Sequence, residues 1–114
     1  MSVERRAFRR IPQSFVVQYR LFGAFTEGWR SGNAVNVSAS GLRMRSEDVF
    51  EVGTTLTLHI TLPGLRGPLD LLGRVAWSQA QAAGVSESGI EFMDLTSEQQ
   101  AQIDELVGFL QRGA

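Results

Sequence analysis

The stretch T-T-L-T-L-H-I-T-L at residues 54–62 alternates without a break. Side chains along an extended chain point to opposite faces with a period of two. Leu56, Leu58, Ile60 and Leu62 therefore share one face, and Thr55, Thr57, His59 and Thr61 share the other. A helix would scatter those leucines around its circumference. The segment must be a strand with one face buried, so the chain needs a sheet that closes over a core.

Weaker versions of the same pattern recur. S-F-V-V-Q-Y-R-L (14–21) places Phe15, Val17, Tyr19 and Leu21 inward, with Val16 a blemish on the polar face. W-R-S-G-N-A-V-N-V-S (29–38) predicts a strand with Val35 and Val37 inward, and G-L-R-M-R-S (41–46) one with Leu42 and Met44 inward. L-D-L-L-G-R-V-A-W (69–77) puts Leu69, Leu71, Val75 and Trp77 in phase, and G-I-E-F-M (89–93) reads as a sixth strand. Residues 23–28 form a turn and P-G-L-R-G-P (63–68) a long hairpin loop.

Beyond residue 94 the period changes. Thr96-x-x-Gln99 and Ser97-x-x-Gln100 are both capping-box candidates, and Ile103, Leu106, Val107 and Leu110 form the apolar stripe of a helix that Gly113 can stop. Six short strands and a terminal helix predict a small antiparallel barrel or sandwich with the helix packed on it. The expected organisation of the 114 residues is one domain: an arginine-rich arm at 1–12, strands over 13–93, and a helix over 95–112.

Positive charge is concentrated at the start. Residues 4–12 read E-R-R-A-F-R-R-I-P, with four arginines in six positions. Residues 1–45 carry eight arginines and two acids, and residues 46–114 carry three arginines and ten acids. The near-neutral total argues against bulk duplex DNA, and the asymmetry points to an anionic partner met by the N-terminal half. Every basic residue is arginine, the side chain suited to bidentate phosphate and guanine recognition. Arg6 and Arg10, four apart, fall on one side of either a helix or a strand.

Enzymatic chemistry leaves little trace. The chain has no cysteine, and its single histidine, His59, sits mid-strand among threonines. Neither a metal site nor a nucleophilic triad is expected, and a binding module fits better than an enzyme. No run approaches the ~20 apolar residues of a membrane span, and no signal-peptide pattern opens the chain, so a cytoplasmic location is the default expectation.

One further motif stands out. In N-V-S-A-S-G (36–41), inward Val35 and Val37 leave Asn36 and Ser38 facing outward together, and Gly41 allows a turn and close approach of a flat or anionic group. An amide beside a hydroxyl offers donors and acceptors for a nucleobase edge and a phosphate. R-R-x-x-x-R (Arg5, Arg6, Arg10) followed by N-x-S-x-x-G (Asn36, Ser38, Gly41) closely resembles the PilZ domain family. R-I-P after the arginines, G-L-R-M after the second motif, and the later V-A-W and G-I-E-F-M-D-L-T extend the resemblance along the whole chain.

The resemblance implies a six-stranded antiparallel β-barrel with helical additions that binds the bacterial second messenger cyclic di-GMP. It implies that Arg6 and Arg10 grip phosphate oxygens and the guanine O6/N7 edge, that Asn36 and Ser38 meet base and phosphate, and that Gly41 leaves room. Arg5 directly before the motif goes, in this family, with a self-intercalated ligand dimer; Arg43 is an outer candidate. Asn36 stands where aspartate is the commoner choice, which bears on affinity. The expected cycle is a flexible arm that the ligand orders, with the changed surface read in trans by a downstream protein. Two rivals are a nucleotide-independent protein adaptor and a barrel that binds single-stranded nucleic acid.

Overall fold

A computed structural model describes residues 14–62 and 67–113. The arm with Arg5, Arg6 and Arg10, and most of the expected 63–68 loop, lie outside the described residues. Six strands appear in order: β1 (Phe15–Leu21), β2 (Arg30–Val37), β3 (Gly41–Ser46), β4 (Thr55–Ile60), β5 (Leu69–Ala80) and β6 (Ser86–Met93). The helix α1 spans Ser97–Gly113. All strand pairs are antiparallel, and the order β1-β2-β3-β6-β5-β4 closes because β1 pairs with both β2 and β4. The result is the barrel rather than a sandwich.

The core is made by the side chains the alternation assigned to it: Phe15, Val17 and Tyr19 from β1, Leu42 and Met44 from β3, Leu56, Leu58 and Ile60 from β4. Three inward assignments change. Leu21 is exposed because β1 ends there and its loop turns out to solvent. In β2 the register shifts between Ala34 and Asn36, which makes Val35 the extra residue; Gly32 and Ala34 are buried before it, and Val37, opposite buried Leu42, packs against the core beyond it. A matching shift between Val75 and Trp77 makes Ala76 the extra residue, and Trp77 turns outward. A bulge of this kind adds one residue and inverts the side chains beyond it.

The last hairpin is longer than its apolar pattern. β5 runs on to Ala80 and β6 begins at Ser86, joined by a tight turn with Ala83 and Gly84 at positive φ. Ser86 and Ser88 are buried although polar, and each hydroxyl has a partner. Ser88 Oγ lies 2.8 Å from Ser78 Oγ, which accepts the Phe50 amide at 3.1 Å, and Ser86 Oγ donates to the Asp48 carbonyl. These bonds hold the β3–β4 loop across one end of the barrel, where the Phe50 ring meets Tyr19 edge-on at 5.6 Å.

The helix covers the other end. Thr96 and Gln99 form the reciprocal capping box: the Gln99 amide donates to Thr96 Oγ1 at 3.0 Å, and the Thr96 amide to Gln99 Oε1 at 2.8 Å. The Gln99 side chain also donates to the Asp70 carbonyl at 2.8 Å, tying the helix start to β5. Ile103 and Leu106 are then fully buried in the barrel core, Val107 and Leu110 pack against it, and these two border a small cavity with Val35 and Val37 of β2.

Candidate functional site

The two bulges combine to build one outward row. Asn36 of β2 pairs with Arg43 of β3, Arg43 with Gly89 of β6, and Gly89 with Trp77 of β5. Three of the four strands therefore present an amide, a guanidinium and an indole on the outer face, with Gly89 buried beneath the indole. They line an open cavity of about 510 Å³ together with Ser38, Ser40, Gly41 and Glu91. That volume lies within the range of small-molecule sites.

The β2–β3 turn shapes one wall. The Ser38 amide donates to the Gly41 carbonyl at 2.9 Å, and the Ser40 amide donates to Ser38 Oγ at 3.3 Å. The Ser38 hydroxyl also reaches Ser40 Oγ at 3.3 Å and the Gly41 carbonyl at 3.4 Å. These distances are long, so an incoming acceptor could recruit the hydroxyl at little cost. Asn36 is exposed, and its amide makes no side-chain hydrogen bond to another described residue.

Gly41 has a different reason from the one expected. Its φ is not in the left-handed region, so the turn does not require glycine. A Cβ there would run into the Ile90 carbonyl oxygen of β6. The residue is glycine because two backbones meet, and the cavity floor is correspondingly flat. Gly89 does the same for Trp77: a Cβ would strike the indole, which lies directly over that glycine. The indole is 40% exposed, enough for one ring face to meet a ligand.

Arg43 is present at the cavity but engaged. Its Nε lies 3.7 Å from Glu87 Oε2, and Arg45 Nε approaches the same oxygen at 3.4 Å. Glu87, only 15% exposed, is thus clamped between two arginines. On the far side of the row the Glu91 carboxylate is held by Arg74 at 3.4 Å. Of the seven residues expected at a ligand site, Asn36, Ser38, Gly41 and Arg43 come together here. Arg5, Arg6 and Arg10 lie outside the described residues.

Trp77, Gly89, Glu87 and Glu91 escaped the reading of the sequence. The period of two carries Trp77 inward, and the bulge at Ala76 turns it out. The V-A-W string offers no sign of the extra residue at Ala76, although a tryptophan two places past a buried valine at a strand's solvent end is a weak hint. Among the described residues no group of three or more metal-ligating side chains occurs, and no helix is long and apolar enough to cross a membrane. His59 Nδ1 is 2.5 Å from Asp70 Oδ1 and Nε2 is 3.3 Å from Thr61 Oγ1, on the exposed face of β4 and away from the row.

A sequence profile described as the PilZ domain matches residues 4–109, a span that takes in both motifs. Among curated proteins no relative matches the chain. Three solved structures share the fold. A PilZ domain of CeSA from a cellulose-synthesizing bacterium has a TM-score of 0.64 at 17% identity, with 89% of this chain and 96% of that one aligned. The Bacillus subtilis inhibitor of motility, MotI/DgrA, scores 0.64 at 18% identity over 91% of this chain and 52% of its own. A tetrameric PilZ protein of Xanthomonas campestris, self-assembled through a helical bundle, scores 0.59 at 22% identity over 75% of this chain and 48% of its own. The chain therefore spans about half the length of the last two.

Proposed function

The chain belongs to the PilZ domain family, and on that premise we propose that it is a cyclic di-GMP receptor. The observation that carries the reading is the outward row Asn36–Arg43–Gly89–Trp77 beside the Ser38–Gly41 turn. It supplies, in one open cavity, the chemistry that a purine nucleotide needs. Trp77 offers a ring face for stacking, worth about 1–3 kcal/mol per base. Asn36 offers an amide for a guanine edge, and Ser38 a hydroxyl for a base nitrogen or phosphate oxygen.

The dianionic backbone of the ligand then needs cations. Arg6 and Arg10 are assigned to phosphate oxygens and guanine O6/N7, where planar forks match paired acceptors. Arg5 is assigned to a second guanine face, by cation–π contact in an intercalated ligand pair. Binding fixes the N-terminal segment against the row. Ordering backbone costs roughly 1–2 kcal/mol per residue, which several charge-assisted contacts together can offset. The altered surface is then read by a protein partner.

Titrating cyclic di-GMP calorimetrically into the wild type, Arg10→Ala and Trp77→Ala tests this. Saturable heat is expected, lost in Arg10→Ala and weakened about tenfold or more in Trp77→Ala. A molar ratio of one separates a single ligand from the pair expected with Arg5. Absence of heat from the wild type would sink the receptor reading and favour a nucleotide-independent adaptor.

A further inference from the structure

At the end of the barrel away from the Ser38–Gly41 turn, the β1–β2 and β3–β4 loops leave a second cavity of about 320 Å³. Its floor is the Tyr19 ring and the half-buried Phe50, and its mouth is edged by Leu21 and Val49. Phe22 and Phe25 follow in the first loop and Val52 in the second, all exposed; Phe25 is 76% exposed and Val49 61%. So many large apolar groups on two adjoining loops mark an interaction surface more than they do scattered exposure.

The charges around the mouth select the occupant. Three acids (Glu27, Asp48 and Glu51) line the cavity with two arginines, Arg20 and Arg30, and Glu47 stands just outside it. Both arginines are already engaged. Arg30 Nε donates to Asp48 at 2.7 Å, and Arg30 lies 4.0 Å from Glu47. Arg20 lies over the Trp29 ring at 4.3 Å and donates to the Glu27 carbonyl. The carboxylates of Glu27 and Glu51 form no ion pair among the described residues, and both line the cavity. A second copy joined about a two-fold axis would set these carboxylates against their own kind, and an anionic lipid surface would meet the same repulsion.

We propose that this end docks a segment of a partner protein that presents an apolar side chain flanked by lysine or arginine. The apolar group enters over Phe50 and Tyr19, and the cations meet Glu27 and Glu51. Arg30 at this end of β2 and Asn36 near the other are six residues apart, about 20 Å along a strand, so partner and nucleotide can be held together. The proposal names the surface through which the receptor would reach its partner and in that sense rests on the receptor reading. Its test is run first without nucleotide, so the two can fail separately.

The probe is a synthetic amphipathic Leu/Lys peptide, with a Leu/Glu peptide of equal length as control, followed by amide chemical shifts of the full chain. Saturable shifts confined to residues 21–28 and 47–54 are expected from the Leu/Lys peptide and none from its control. Glu51→Lys should weaken that binding about fivefold by turning an attraction into a repulsion, and Val49→Ser should also weaken it. Both sites are exposed, and unchanged dispersion elsewhere in the spectra shows that each variant is folded. Shifts spread over every acidic patch, equal response to the two peptides, or concentration-dependent shifts of the same loops without peptide would each overturn the proposal. The last outcome would identify a second copy as the occupant.

Discussion

Glu87 shows how a single side chain can set the reach of a neighbour. It occupies Arg43, which otherwise faces the cavity, and Arg45 beside it. Substituting Glu87→Gln keeps the shape and removes the charge. Cyclic di-GMP affinity measured by calorimetry should then rise about three- to fivefold, the scale of one partly screened charge pair. Adding Arg43→Ala should cancel the gain. Tyr19 makes a second case. Burial, and then its hydrogen bond to Asp48, raise the phenol above its ordinary value of 10.0. A raised folded-state pKa means stability that is fully present below pH 10 and lost as pH climbs through the higher value. Tyr19→Phe should cost about 1 kcal/mol at neutral pH and should flatten the alkaline fall in denaturant midpoints.

Among the elements, the helix was the most legible. Its apolar stripe and its cap are local, and the structure chose Thr96–Gln99 from two overlapping candidates. The choice follows from the tie between the Gln99 side chain and the Asp70 carbonyl, a contact that no local pattern announces. Thr96→Ala should destabilise the fold by about 1 kcal/mol, read as a shift of the urea midpoint with unchanged slope. The strands were legible where alternation was unbroken, as in β3 and β4, and through most of β1. β5 was read correctly up to its bulge and wrongly just beyond it. In β2 the expected phase fails before the bulge, where Gly32 and Ala34 are buried, and holds beyond it, where Asn36 faces out and Val37 packs on the core. Ser86 and Ser88 hid the first half of β6, because serines with buried partners look like loop residues in a one-dimensional pattern.

For the whole molecule, the barrel carries two separate surfaces, one across β2, β3, β6 and β5 and one between the β1–β2 and β3–β4 loops. One is polar and open with an indole; the other is apolar with a carboxylate rim. If the first binds cyclic di-GMP and the unfolded chain does not, ligand at one hundred times its Kd should add about 2.7 kcal/mol of stability. Thermal unfolding with and without nucleotide checks this, and Arg10→Ala should show no such rise. Because β1 pairs with β4 to close the sheet, the unfolding transition should move as one step.

The amino-acid sequence by itself determined the period-two strands, the capped helix, the absence of cysteine chemistry and the pair of motifs that led to the PilZ family. Each of these is a matter of neighbours within a few residues or of side-chain type. The tertiary structure alone decided that the sheet closes on itself, that Gly41 is small because the Ile90 carbonyl lies against it, and that Trp77 faces out beside Arg43 and Asn36. Those outcomes depend on register between strands far apart in the chain. One extra residue in a bulge turns every later side chain over, and a sequence of the same composition and period carries no mark of where that residue is spent.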